Sequence, residues 1–142
     1  MKRPLITGVR FPLAGFTLVE IVIVLAIVAI LVTLALPAYR SQVLRVHRSG
    51  AVNLLLQAAV CQERVYTRLG SYDTGVCLKE NRQEHYQLSY RPANTRGQYF
   101  TAVATPLGAQ KRDTCGSLLL DQNGNRGIGA AGVDIAQCWN GR

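Results

Sequence analysis

The stretch Gly15-Phe16-Thr17-Leu18-Val19-Glu20 opens an apolar run that continues to Leu36. Between Phe16 and Leu36 the polar side chains are Glu20 and two threonines. A helix of this length crosses a bilayer core of about 30 Å. A carboxylate at the centre of a bilayer costs about 2.5–3.5 kcal/mol on insertion scales. Glu20 therefore either has a partner within the membrane or lies near the headgroups of an ordinary signal anchor.

The residues that surround Glu20 resemble the processing site of type IV prepilins. In that family a dedicated peptidase cuts after the glycine and methylates the new N-terminal phenylalanine, which correspond here to Gly15 and Phe16. Pro37, Tyr39 and Arg45 also fall where pilins usually carry proline, tyrosine and arginine. A secretory signal would instead place small residues after its apolar run. The resemblance implies cleavage between Gly15 and Phe16 and N-methylation of Phe16.

The resemblance also gives Glu20 a role in filament assembly. Its carboxylate is expected to pair with the N-terminal amine of Phe16 in a neighbouring subunit, inside the apolar core of a filament. The partners implied are other pilin subunits, the prepilin peptidase and the inner-membrane pilus assembly machinery.

The chain is predicted to have three parts: a cleaved leader (1–15), a transmembrane and filament-core helix (16–39) and a globular domain (40–142). The leader carries Lys2, Arg3 and Arg10 and no acid, which should hold it in the cytoplasm. Without these three cations the net charge falls from +8 to +5. The expected location is the inner membrane with the domain in the periplasm, followed by the extracellular pilus of a Gram-negative bacterium.

Four cysteines in so small a domain indicate an oxidising compartment. They are Cys61, Cys77, Cys115 and Cys138. The chain has no C-x-x-C motif and only two histidines, which argues against a zinc site. Three pairings are possible. We favour Cys61–Cys77 and Cys115–Cys138, because each bond closes a short local loop, worth about 3 kcal/mol on the chain-entropy model.

Beyond the apolar run the periodicity is first helical and then alternating. From Ala51, apolar residues recur at spacings of three and four, and Gly70 supplies a stop signal. The apolar face of this helix reads Leu54, Ala58, Cys61, Val65 and Leu69. Segment 85–90 alternates with a period of two, segment 98–105 reads as a more apolar strand and segment 116–121 as a third strand. Residues 122–125 read as a hairpin turn.

We therefore expect an α+β fold in which a long N-terminal helix packs on an antiparallel sheet of three or four strands. The first half of the helix is transmembrane and the second half is amphipathic. This arrangement is the type IV pilin fold.

The sequence offers no catalytic motif, so we expect no enzyme activity and no cofactor. His47 and His85 accompany no recognisable serine or cysteine nucleophile. Asp121, Asn123 and Asn125 imitate the start of a calcium loop, but the closing glutamate near the twelfth position is missing. A hairpin turn explains the same residues, and no metal site is predicted.

The second half of the chain resembles the minor pilins of the PilE branch, which shares its domain with ComP, the pilin that receives DNA for uptake. The resemblance is carried by Cys61-Gln62-Glu63-Arg64, Ala104-Thr105-Pro106, Asp113-Thr114-Cys115-Gly116, Leu120-Asp121-Gln122-Asn123-Gly124 and Cys138-Trp139. It implies a structural, minor pilus subunit that serves adhesion, twitching motility or DNA uptake.

The alternative function is a pilus-associated receptor that binds DNA during natural transformation. If the strands form a simple meander, Arg91, Arg96 and Arg126 gather at one end of the sheet. Lys111 and Arg112 then lie at the other end. A net charge of +5 and arginines in turns fit weak, salt-sensitive DNA binding better than sequence readout.

Overall fold

The computed structural model describes residues 15–78, 84–91 and 97–140. The predicted leader positions 1–14 and the candidate DNA contact Arg96 lie outside these residues. The elements in chain order are α1 (Leu18–Leu69), α2 (Thr74–Leu78), β1 (Tyr86–Arg91), β2 (Thr101–Pro106), a 3-10 helix (Gly108–Arg112), β3 (Leu118–Asp121), β4 (Arg126–Ile128) and α3 (Ile135–Trp139). The chain divides into two compact units, with the boundary between Ala38 and Tyr39.

The first unit consists of the apolar part of α1. Thr17 caps its start, because the N–H of Glu20 donates to Thr17 Oγ1 at 3.2 Å. The apolar side chains from Leu18 to Leu36 are exposed. Among the described residues, α1 is the helix that is long and apolar enough to cross a membrane.

The core of the second unit lies between α1 and one face of a four-stranded sheet. Buried side chains of α1, such as Leu54 and Leu55, join buried side chains from the strands, such as Tyr86 and Leu118, in one apolar cluster. Full burial of a leucine contributes about 1.5–3 kcal/mol. The α+β fold and the antiparallel sheet predicted from the sequence are confirmed.

The sheet is a simple antiparallel meander in the order β1-β2-β3-β4. Strand β1 alternates as predicted, with Tyr86 and Leu88 buried and the one residue between them exposed. Leu88 pairs with Ala104, which in turn pairs with Leu118. The fourth strand follows the predicted turn, and its residue Arg126 pairs with Leu120.

The buried face of α1 ends earlier than its apolar repeat predicts. Leu69 was expected on that face, but it is 65% exposed. The buried position in the preceding turns belongs to Gln62, whose Nε2 donates to the carbonyl oxygen of Asp73 at 2.9 Å. The last turns of α1 therefore contact the returning chain, through Asp73 and through the Cys61–Cys77 disulfide.

The structure pairs Cys61 with Cys77 and Cys115 with Cys138, and the Cα atoms are 5.9 and 5.8 Å apart. The first bond joins α1 to α2, a short helix that no sequence pattern predicted. The second bond joins the turn before β3 to α3. Both helices of five residues are held against the domain by a disulfide.

Candidate functional site

The residues predicted to act in processing and assembly lie together at the start of α1. Phe16 is 79% exposed, and Glu20 lies exposed in the first helical turn. In the isolated chain the aromatic ring and the carboxylate therefore both face the surroundings. This exposed position suits contacts with other molecules. Within the described residues, the carboxylate of Glu20 has no partner.

Two of the candidate DNA contacts lie at one end of the sheet. Arg91 pairs with Thr101, which pairs with Asp121 at the end of β3. Arg126 begins β4 directly after the turn that follows Asp121. The register thus brings Arg91 and Arg126 to the same end, as the meander required, although two strands lie between them.

Arg126 is held at this end by the aromatic ring of Trp139. Its Cζ lies 5.2 Å from the ring centroid, within range of a cation–π interaction. The indole Nε1 donates to the carbonyl oxygen of Gly127 at 3.1 Å. The ring is consequently fixed against β4, and the guanidinium above it stays at the surface.

The turn between β3 and β4 is organised by Asp121. Its carboxylate accepts hydrogen bonds from the backbone N–H groups of Asn123 and Asn125 and from Asn125 Nδ2, at 2.7–2.9 Å. Partial burial works to raise the pKa of Asp121, but these hydrogen bonds outweigh it and lower that pKa below its usual value. Hydrogen bonds within the hairpin thus occupy the same carboxylate oxygens of Asp121 that a calcium ion would need as ligands.

Lys111 and Arg112 lie at the other end of the sheet, in the 3-10 helix that follows β2. Both are exposed. Between β2 and β3 the chain is anchored by Gln110, which is 2% exposed. Lys111 and Arg112 therefore belong to a segment that is held firmly in place. The length of the sheet separates their charges from those of Arg91 and Arg126.

A buried polar network holds that segment to α1. Arg48 donates from Nε and Nη2 to the two oxygens of Asp113, at 2.9 and 2.7 Å. Gln110 Nε2 lies within hydrogen-bonding distance of Asp113 Oδ2, of the Tyr86 hydroxyl and of the Leu44 carbonyl oxygen, at 2.9–3.0 Å. Burial raises the pKa of Tyr86 to about 12, so its hydroxyl stays protonated at any physiological pH. The network joins three elements that are far apart in the sequence.

This network cannot be predicted from the sequence, because each member looks ordinary by itself. Arg48 falls on the buried side of α1, one turn before Ala51, and that position is the single signal that could have marked it.

The two histidines of the chain lie next to this network: the rings of His47 and His85 are stacked with their centroids 3.6 Å apart. Neither ring adjoins a serine or cysteine nucleophile among the contacts described for it, and His47 Nδ1 instead lies 3.2 Å from Gln110 Oε1.

Comparison with known proteins identifies two family profiles along the chain. Residues 37–119 match the profile described as type IV minor pilin ComP, DNA uptake sequence receptor. Residues 14–36 match the prokaryotic N-terminal methylation motif. The two matches adjoin, and the first alone covers more than half of the chain.

The chain is also similar to individual pilus proteins. It is 55% identical over 40 residues to the fimbrial protein EcpC of Eikenella corrodens, a match that covers 28% of this chain and 26% of that protein. A type IV pilin structure from Shewanella oneidensis is 28% identical with a TM-score of 0.52, covering 65% of this chain and 96% of that one. The non-core minor pilin PilV of Neisseria meningitidis shares the fold, with 21% identity, a TM-score of 0.55 and coverage of 67% and 95%.

Proposed function

This chain belongs to the ComP family of type IV minor pilins, and we propose that it is made as a precursor, cut between Gly15 and Phe16, and built into the pilus. The observation that carries the proposal is the position of Phe16 and Glu20 at the start of an exposed apolar helix. The processed chain would begin with an N-methylated Phe16. Its domain would pass from the periplasm of a Gram-negative bacterium to the cell exterior.

The exposed apolar helix supports an assembled state. Side chains such as Ile23, Leu25 and Leu31 are more than half exposed in the isolated chain. Such a surface is stable only in a bilayer or against other apolar helices. A lipid environment before assembly and neighbouring pilin helices afterwards would each cover it, whereas water would not.

Glu20 would connect processing with assembly. Cleavage after Gly15 creates an amine at Phe16, and an amine in an apolar filament core is stabilised by an opposite charge. The carboxylate of Glu20 in a neighbouring subunit can supply that charge. The uncut precursor has no amine at this position, so it would lack the pair.

Replacing Glu20 with alanine is expected to leave membrane insertion intact and to remove most of the protein from the pili. Loss of the carboxylate removes a costly charge from the membrane helix, but also removes the partner of the Phe16 amine. Immunoblots of membranes and of sheared pili measure the two pools. Thr33→Ala is the matched control, because it removes a polar group from the same helix without changing its charge. Wild-type levels of the Glu20→Ala protein in pili would contradict the pairing.

Processing at the proposed junction has its own test. Mass spectrometry of the filament form should find a chain that begins at Phe16 and carries one added methyl group. Gly15→Val should block cleavage, because a β-branched side chain would crowd a peptidase subsite that accepts glycine. Pilus-associated protein that retains Met1 or Lys2 would contradict the proposed cut.

A second candidate function is DNA binding at the end of the sheet that carries Arg91 and Arg126. The observation that favours it is the register, which places both arginines at one end, together with the description of the matched family as a DNA uptake sequence receptor. Among the described residues, neither arginine makes an ion pair. The family assignment is equally compatible with a purely structural subunit.

Salt titration of labelled duplexes separates the two functions. For a receptor, log K should fall linearly with log salt, and removal of each phosphate contact should reduce the slope by about 0.9. The Arg91→Ala/Arg126→Ala variant should then lose the sequence preference, whereas Lys111→Ala/Arg112→Ala removes the same charge from the other end as a control. Weak binding without sequence preference, equal in both variants, is the result expected of a structural subunit.

A further inference from the structure

A cleft of about 290 Å³ lies in the second unit, between the first turns of its helix, the turn before β3 and α3. The walls are formed mainly by α1 and by residues 112–115. Its polar lining comprises Ser41, Arg45, Arg48, Arg112, Thr114 and Gln137, with Asp113 at the floor. The cleft differs from the sheet end that carries Arg91 and Arg126, and none of its residues belongs to that surface.

The lining carries an excess of positive charge. Asp113 neutralises Arg48 in the buried ion pair, which leaves Arg45 and Arg112 as exposed guanidinium groups on the same cleft. Neither makes an ion pair within the part of the chain that is described. Like charges that share one cleft repel each other, and an anion between them would remove that repulsion.

The donors in the cleft suit a phosphate group. Guanidinium groups bind phosphate oxygens through pairs of parallel hydrogen bonds. Arg48 uses Nε and Nη2 for Asp113, so its Nη1 takes no part in that pair. The hydroxyl of Thr114 and the side-chain amide of Gln137 add neutral donors to the lining. The ion pair fixes Arg48 at the floor, so this part of the site is built before any ligand arrives.

The position of the cleft along α1 indicates where the phosphate would come from. Ser41 follows Leu36 by five residues of chain, and Arg45 follows it by nine. The polar headgroup regions add about 5–8 Å to each side of the hydrocarbon core. Long arginine side chains extend from apolar surroundings toward charged groups. Ser41 and Arg45 of the cleft are therefore joined to the end of the apolar run by a short length of chain.

We propose that this cleft binds the phosphate of an anionic phospholipid headgroup while the chain is anchored in the membrane. The inference rests on the membrane anchor of the proposed function and adds a specific lipid contact to it. Lipid is favoured over DNA because Arg45 follows the apolar run by only nine residues, whereas Arg91 and Arg126 belong to strands that come much later in the chain. Arg45 and Arg112 would clamp the phosphate from two sides, above Arg48.

The test uses the full mature chain in nanodiscs of phosphatidylcholine, with and without phosphatidylglycerol. Hydrogen exchange of peptides that cover 108–116 and 41–49 is followed by mass spectrometry. We expect several-fold slower exchange in the discs that contain phosphatidylglycerol, and a smaller effect as salt rises. The Arg45→Gln/Arg112→Gln variant should lose this difference between the two lipids.

Arg64→Gln/Arg68→Gln is the matched control, because it removes two exposed arginines from the same helix away from the cleft. This variant should keep the lipid-dependent protection. Equal loss in the control would overturn the proposal, since it would reduce the effect to general charge attraction. Equal exchange of the wild-type chain in both kinds of disc would also overturn it.

Two further arms distinguish the source of the phosphate. Inorganic phosphate or duplex DNA is added to the chain in pure phosphatidylcholine discs. Protection of the same peptides that matches or exceeds that in phosphatidylglycerol discs would overturn the lipid assignment in favour of the added anion. Co-elution of the chain with the discs is measured first: its failure contradicts the membrane anchor, whereas co-elution without lipid-dependent protection overturns this inference alone.

Discussion

Replacing Asp113 with alanine is expected to lower the free energy of unfolding by about 3–5 kcal/mol, because it leaves the buried guanidinium of Arg48 without its partner. The side chains of the pair are 7% and 1% exposed, so water cannot take over the lost hydrogen bonds. Asp113 also accepts a hydrogen bond from the backbone N–H of Cys115 at 3.1 Å. The substitution therefore removes the group on which the whole buried network converges.

Urea unfolding of the second unit, Tyr39–Arg142, measures this effect. The matched control is Asp134→Ala, which removes an exposed carboxylate that caps α3 and should cost about 1 kcal/mol. Arg48→Met combined with Asp113→Leu should recover much of the loss, because an apolar pair has no buried charge to satisfy. An Asp113→Ala protein within 1 kcal/mol of wild type, on the scale of an ordinary cap, would contradict the role given to the pair.

Breaking the Cys115–Cys138 bond is expected to cost about 2–5 kcal/mol, and more than breaking Cys61–Cys77. Loop length does not decide the order: separations of 23 and 16 residues differ by only about 0.3 kcal/mol in chain entropy. Packing decides it. Cys115 and Cys138 are both buried in the apolar cluster, whereas Cys61 is half-buried.

Trp139 reports this difference directly, since it is the one tryptophan of the chain and is 6% exposed. Cys115→Ala/Cys138→Ala should shift its fluorescence to longer wavelength and lower the urea midpoint. Cys61→Ala/Cys77→Ala is the control and should leave the fluorescence of the folded state unchanged. The reverse order of stabilities would contradict the account. Non-reducing peptide mapping should recover the two local pairs, and any crossed pair would refute the local-loop argument.

Much of the fold could be predicted from the sequence because local signals and burial agree. Gly70 ends α1 as expected, and the chain there has a positive φ of 69°, which glycine adopts readily. Tyr86 and Leu88 share the buried face that their spacing predicts. The turn after Asp121 follows from its residues, and the simple meander follows from the usual pairing of strands that are consecutive in the chain.

Other parts could not be predicted because they depend on contacts between distant residues. Strand β4 has three residues, one of them a glycine, so no alternation can be read from it. Arg48 and Asp113 are 65 positions apart, and each alone has the composition of a solvated surface. Leu69 has a helical spacing that fits the core, yet it is exposed, and the last turns of α1 contact the returning chain.

The candidate sites also differ in how far they could be predicted from the sequence. The end-to-end separation of Arg91 and Arg126 from Lys111 and Arg112 follows from strand order, which the sequence does predict. The meeting of Arg45 with Arg112 in one cleft does not, because it requires the 3-10 helix to be docked on α1 by Gln110. That docking is a property of the buried network, and local patterns carry no trace of it.

The central claim, that this chain is processed and built into pili as a minor subunit, is tested most directly by quantitative mass spectrometry of sheared and purified pili. We expect the chain to be present at a small fraction of the main pilin and to begin with N-methylated Phe16. Filaments from a strain without the gene should lack these peptides. Absence of the chain from wild-type pili, or its presence there with residues 1–15 attached, would contradict the account.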